Sequence, residues 1–193
     1  MTKAILFDLD GTLTDTFELW YQSVRELVLK HTDMHLDRDE YEERYWGMDG
    51  RGKVKLLIGA DGKKIEELYK ELQSLLMKNA SLVRAFPGVK QSLERLSGSY
   101  RLAVISNSPI QFLEAQLSNT GMGSFFSAKV ADALPKPDPD GLLRACGELG
   151  VHGHEAVFVG DSRFDMEAGR NAGIKTLILG RNLKTIEELL NIL

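Results

Sequence analysis

Three short runs in this 193-residue chain are apolar from end to end, and each stops at a polar residue. Ala4-Ile5-Leu6-Phe7 meets Asp8, Leu102-Ala103-Val104-Ile105 meets Ser106, and Ala156-Val157-Phe158-Val159 meets Gly160-Asp161. A strand with one wet face alternates polar and apolar side chains. A continuously apolar strand is covered on both faces, as in a parallel sheet flanked by helices. From Phe86-Pro87-Gly88 onward, helix and strand patterns alternate. The periodicity predicts helices over 88–97, 109–118, 139–149, 164–172 and 184–191. It predicts strands over 101–106, 126–131, 156–160 and 174–179, with an N-terminal strand from Lys3 to Asp8 in the same sheet. This is an α/β pattern with a Rossmann-like parallel sheet.

Between Thr16 and Ser81 the pattern is different. Phe17, Trp20, Tyr21, Val24, Leu27 and Val28 recur on one helical face, with Thr16 placed to cap it. Asp37 or Asp39 can open a second helix through Tyr41 and Tyr45. A glycine-rich break at Trp46–Gly52 precedes a short helix through Val54, Leu56, Leu57 and Ile58. Ile65, Leu68, Tyr69, Leu72, Leu75 and Leu76 mark a fourth. The expected organisation is a core of residues 1–15 and 82–193, interrupted by an all-helical insertion of residues 16–81.

Composition narrows the function class. Twenty-four basic residues against 28 acidic ones give a net charge of −4, which disfavours general binding to nucleic acid or anionic membranes. No apolar run approaches a membrane span, and Asp8 and Asp10 interrupt any secretory-type segment, so a cytoplasmic protein is expected. Cys146 is the only cysteine and lies in an apolar helical setting, as a core thiol does. Gly47-x-x-Gly50-x-Gly52 follows no apolar strand, so it does not read as a dinucleotide loop.

The chemistry gathers at the strand ends. Asp8 and Asp10 stand two residues apart at the end of the first strand, before a glycine turn. A carboxylate pair so placed can divide labour, one attacking or holding a metal and the other moving protons. In open α/β sheets the carboxyl edge of the strands is where ligands bind. Ser106-Asn107-Ser108-Pro109 follows the second run, Gly160-Asp161-Ser162-Arg163-Phe164-Asp165 follows the third, and Lys136 lies between them in Pro135-Lys136-Pro137-Asp138-Pro139. Some of these residues also suit plain structural roles. A Ser or Asn before Pro109 suits a helix N-cap with proline at the first helical position. Asp165 suits the first turn of a helix.

Taken in order and spacing, these four motifs resemble those of the haloacid dehalogenase superfamily, and within it the phosphoglycolate-phosphatase-like group with a helical cap. The resemblance covers nearly the whole chain. It implies a magnesium-dependent phosphatase that hydrolyses a small phosphorylated metabolite through an aspartyl-phosphate intermediate. It implies that Asp8 is the nucleophile and Asp10 the general acid and base. Ser106 and Asn107 would bind the phosphoryl group, the latter through nearby backbone N–H groups, and Lys136 would hold its charge. Asp8, Asp161 and the backbone carbonyl of Asp10 would bind Mg2+, with Asp165 as a further ligand or an orienting partner. All-oxygen ligands favour magnesium over zinc. The aspartate two residues after the nucleophile marks phosphotransfer in this superfamily and argues against carbon–halogen chemistry. The helical insertion stands where the family places its cap. Since the core motifs meet only phosphoryl group and metal, specificity is expected from the insertion, with Arg51 in its glycine-rich break as a candidate substrate contact. Two other readings share these motifs: a sugar-phosphate mutase of the β-phosphoglucomutase type, and a non-catalytic regulatory or binding module on the same fold.

Overall fold

The computed structural model describes residues 1–193. Its centre is a five-stranded parallel sheet of β1 (Ala4–Asp8), β4 (Arg101–Ile105), β5 (Ala128–Val130), β6 (Ala156–Gly160) and β7 (Lys175–Ile178), in the order β5-β4-β1-β6-β7. All five residues of β1 are buried, as the apolar run requires of a central strand. Alternation splits them between two cores. Ile5 and Phe7 join Leu93, Leu96 and Leu113 on one face, while Ala4 and Leu6 join Leu142, Ala145 and Ala168 on the other. The first face is covered by α5 (Val89–Ser97), α6 (Ile110–Thr120) and α9 (Leu189–Ile192), the second by α7 (Asp140–Leu149) and α8 (Arg163–Ala172). Truncating a fully buried side chain here, such as Phe7, costs about 3–5 kcal/mol.

Between the first motif and the rest of the sheet run α1 (Phe17–His31), α2 (Arg38–Arg44), α3 (Gly50–Ile58) and α4 (Gly62–Lys78). They build a separate apolar cluster from Trp20, Val24, Leu27, Tyr41, Val54, Leu57, Leu68, Leu72 and Leu76. Phe112 of α6 is part of it, so the helical block rests on α6. Asp37 opens α2 by accepting from the N–H groups of Asp39 and Glu40, and Asp49 opens α3 by accepting from Gly52. Each cap is worth about 1 kcal/mol. No helix is long and apolar enough to cross a membrane.

Three local features differ from the periodicity reading. A two-residue strand β2 (Thr14–Asp15) pairs antiparallel with β3 (Arg84–Ala85), joining the two chain crossings; such a pair is too short to show alternation. The last expected helix is a 3-10 turn at Ile186–Glu188 followed by the single turn α9. Pro109 is itself the N-cap of α6 rather than its first residue, and neither Ser106 nor Asn107 caps the helix, because their side chains are engaged elsewhere.

Candidate active site

Strand register assembles the site. β1 lies between β4 and β6, with Asp8 beside Ile105 and Phe7 beside Val159. The residues that follow those strands, Ser106 and Asp161, therefore flank Asp8 at the carboxyl edge of the sheet. Gly11 makes the turn after the aspartate pair with φ of 88°, and a Cβ there would overlap the Asp161 carboxylate. Only glycine combines that backbone with that approach. Lys136 comes from the loop before α7, and Asp165 from the first turn of α8.

Asp8, Lys136 and Asp165 form a buried cluster. The Lys136 ammonium donates to Asp8 Oδ1 and, at 2.6 Å, to Asp165 Oδ1. Burial alone would lower the lysine pKa, but the charges of Asp165 and Asp8 outweigh it and raise it. Asp165 Oδ2 accepts from the Ser162 hydroxyl at 2.6 Å and from its N–H at 3.0 Å. Asp165 is thus both the capping-box residue of α8 and a partner of Lys136. Asp161 accepts from Thr12 Oγ1 at 2.9 Å and from the Trp46 indole at 2.8 Å.

The cluster is short of positive charge. Burial pushes Asp8 well above the usual carboxylate range, against the pull of Lys136, and the neighbouring Asp165, Asp161 and Asp10 add to the rise. Burial and Asp165 push Asp161 up to about 6. One oxygen from each of Asp8, Asp161 and Asp165 falls within a set no more than 4.8 Å across. Crowded carboxylates with only oxygen donors are what a hard divalent cation requires, so these residues fit a divalent-metal site.

Asp10 has a different environment. Its Oδ1 accepts from Thr16 Oγ1 at 2.9 Å, Trp20 Nε1 at 3.2 Å and Gln116 Nε2 at 3.0 Å. Its Oδ2 accepts from Ser106 Oγ at 3.0 Å and Ser108 Oγ at 2.6 Å. Thr16 therefore stands at the N-cap of α1 without capping it, since its hydroxyl serves Asp10. Asn107 ties three segments together: its Oδ1 accepts from Lys136 N–H at 2.9 Å, and its Nδ2 donates to Gly47 O at 3.1 Å.

The cavity these groups enclose has a volume of about 30 Å³, and its walls include Asp8, Asp10, Ser106, Asn107, Lys136, Asp161 and Asp165. The sequence-predicted core residues are thus all brought together. Arg51 lies outside that cavity. Its Nε and Nη2 hold Glu66 at 2.7 and 3.0 Å, and its guanidinium lies 4.1 Å from the centre of the Tyr69 ring. The helical block instead sends Trp20, Trp46, Met48 and Lys53 into the cavity wall. Gly47, with φ of 77°, packs so closely on α8 that a Cβ would lie 2.7 Å from Ser162 Oγ.

Several of these residues carried a signal that motif reading passed over. Gly50, Lys53, Val54 and Leu57 form the buried stripe of α3, and Phe112, Leu113, Gln116 and Leu117 that of α6. A lysine and a glutamine on apolar stripes are buried polar groups that need a partner. Thr12 and Trp46 had no such mark, because their partner Asp161 is distant in sequence.

A family model described as haloacid dehalogenase-like hydrolase matches residues 5–179. The chain is 32% identical over 192 residues to the pyrophosphatase PpaX of Bacillus velezensis, covering 96% of this chain and 87% of that one. It is 30% identical over 181 residues to the phosphoglycolate phosphatase of Nitrosospira multiformis, covering 89% and 80% respectively. The crystal structure of CbbY from Rhodobacter sphaeroides in complex with phosphate has the same fold, with a TM-score of 0.83 at 24% identity over 98% of this chain and 96% of that one. Strand order, the aspartate pair at the end of β1, the lysine–carboxylate cluster and these matches converge: the chain belongs to the haloacid dehalogenase-like hydrolase family.

Proposed function

We propose that the protein is a magnesium-dependent phosphatase acting on a small phosphorylated metabolite through a phosphoryl group carried on Asp8. The observation that carries this reading is the pairing of Asp8, held by Lys136, with Asp10, held by five donors, at one sheet edge. Family membership supports it.

In the first step a carboxylate oxygen of Asp8 bonds to phosphorus while the ester P–O bond breaks. Asp10 gives a proton to the departing alkoxide oxygen. In the second step Asp10 takes a proton from water, the water oxygen bonds to phosphorus, and the bond to Asp8 breaks. Phosphate leaves and both aspartates return to their starting state. Lys136 orients Asp8 and places an ammonium beside the transferring oxygens, and Ser106 turns its hydroxyl from Asp10 to a phosphoryl oxygen. Asp8, Asp161 and Asp165 would hold Mg2+, whose charge offsets the repulsion between an anionic nucleophile and an anionic phosphate. Residues 16–81 act as a lid on a core of 1–15 and 82–193. The cavity of about 30 Å³ has room for a few waters and is smaller than a phosphorylated metabolite, and on this reading the lid moves to admit substrate.

Phosphate release from a panel of metabolite monophosphates tests the reading. Turnover with magnesium and complete loss in chelator, restored by magnesium, is the expected result. Full activity in chelator, or no release from any ester, overturns it; isomer formation without phosphate release would place the chain with the mutases.

A further inference from the structure

Lys53 is 3% exposed and lines the catalytic cavity from the helical side. Its surroundings are those of an ammonium without a counterion. It donates to the Met48 carbonyl and lies 4.5 Å from the centre of the Trp20 ring and 5.9 Å from that of Tyr41. Lys136, the other lysine of the cavity, is in contact with two carboxylates, whereas Lys53 forms no ion pair. The hydroxyl of the buried Tyr41 also lacks a partner. A buried cation costs free energy unless an anion meets it. Burial pushes Lys53 down to about 8, opposed by the charges of Asp49 and Asp10. No packing need calls for a lysine here, because the same stripe of α3 is otherwise filled by Gly50, Val54 and Leu57.

We infer that Lys53 is the specificity-determining residue of this enzyme, binding an oxyanion on the alcohol portion of the substrate. The substrate class is then a small phosphate monoester whose leaving group carries a second anionic group, a carboxylate or another phosphoryl group. The core holds the reacting phosphoryl group, and Lys53 meets the other end from the lid once the lid has admitted substrate. The aromatic faces of Trp20 and Tyr41 keep the ammonium in place while the site is empty. This inference rests on the phosphatase reading above.

Three small esters serve as probes: ethyl phosphate, the monophosphate of glycolate, and the bisphosphate of ethylene glycol. Wild-type enzyme should prefer at least one dianionic-leaving-group or carboxylate probe over ethyl phosphate by about tenfold or more in kcat/KM, as a charge-assisted contact gives. A preference for the glycolate ester identifies a carboxylate, and a preference for the bisphosphate identifies a second phosphoryl group. In Lys53→Met that preference should collapse toward unity, and in Lys53→Arg it should persist in part. Equal kcat/KM for all three esters in wild type overturns the inference while leaving the phosphatase reading intact. Undiminished preference in Lys53→Met overturns it too. If wild type hydrolyses none of the three and no member of the metabolite panel, the phosphatase reading itself has failed. The wild-type comparison does not depend on whether the variants fold.

Discussion

The floor and the roof of the cavity are built on opposite plans. On the floor the charged groups are tied to one another, with carboxylates in excess: Lys136 to two carboxylates, Asp165 to Lys136 and Ser162, Asp10 to five donors. The roof is two indoles, a methionine and Lys53, an ammonium with one carbonyl and two aromatic rings. A densely hydrogen-bonded network is rigid, which suits a chemical step that never changes. An under-answered cation keeps binding capacity in reserve for whatever distinguishes one substrate from another. On the reading proposed above, rate resides in the floor and preference in the roof.

The strongest way to break this division is at Asp8. Asp8→Asn should lower turnover of every phosphate ester by about 10⁴-fold or more, since an amide cannot carry the phosphoryl group. Phosphate-release kinetics on several esters check it, and a loss confined to one substrate would erase the distinction between floor and roof. Asp165→Ala tests how tightly the floor is knit. It removes a buried partner of Lys136 and the capping box of α8, and should cost about 2–4 kcal/mol in denaturant unfolding. A cost near zero would mean the network is not cooperative.

Lys53→Met moves stability the other way. Removing an unanswered buried cation should stabilise the ligand-free protein by about 1–3 kcal/mol at neutral pH. Folding lowers the Lys53 pKa from 10.5 to about 8, so the unfolded chain binds the proton more tightly. Wild-type stability should accordingly rise with pH between about 8 and 10.5, with that increment missing in Lys53→Met. Denaturant midpoints across this range decide it; a destabilised variant would show that Lys53 is a structural residue. The smallest effect is expected at Arg51. Its partner Glu66 is exposed, and Arg51→Ala should change Tm by less than about 3 °C and kcat/KM by less than about threefold. A tenfold rise in KM for one ester would bring Arg51 back into the roof.

The same division governs what could be read from the chain alone. The floor was legible because its members sit at fixed offsets from apolar strands: Asp8 ends β1 and Asp10 follows two residues on, Ser106 follows β4, and Asp161 follows β6. Parallel register then leaves them nowhere else to go. Roof residues sit on helices whose orientation depends on how α1 to α4 pack on one another and on α6, and no local rule fixes that. Arg51 and Lys53 are two residues apart on α3, so they point to different faces; the glycine-rich break drew attention to the first, while burial belongs to the second. Gln116 shows the same limit from the core side. It lies on the buried face of α6, where its Oε1 accepts from Thr14 and its Nε2 donates to Asp10, partners about a hundred residues away in sequence.

The two-residue ribbon of β2 and β3 has a consequence for how such a chain diversifies. Where the sequence leaves the core and where it returns are held side by side, Thr14 against Ala85 and Asp15 against Arg84, about one strand spacing apart. Everything between them is a closed excursion whose length the central sheet never senses. Helices can be lengthened, replaced or exchanged for those of another chain without shifting β1 relative to β4 or β6. What ties the excursion to the core beyond the ribbon is the cover over Phe112 and the hydrogen bonds that Thr16, Trp20 and Trp46 give to Asp10 and Asp161. If the insertion reads the substrate as proposed, a neck of four residues lets that reading be rewritten while the sheet edge stays as it is.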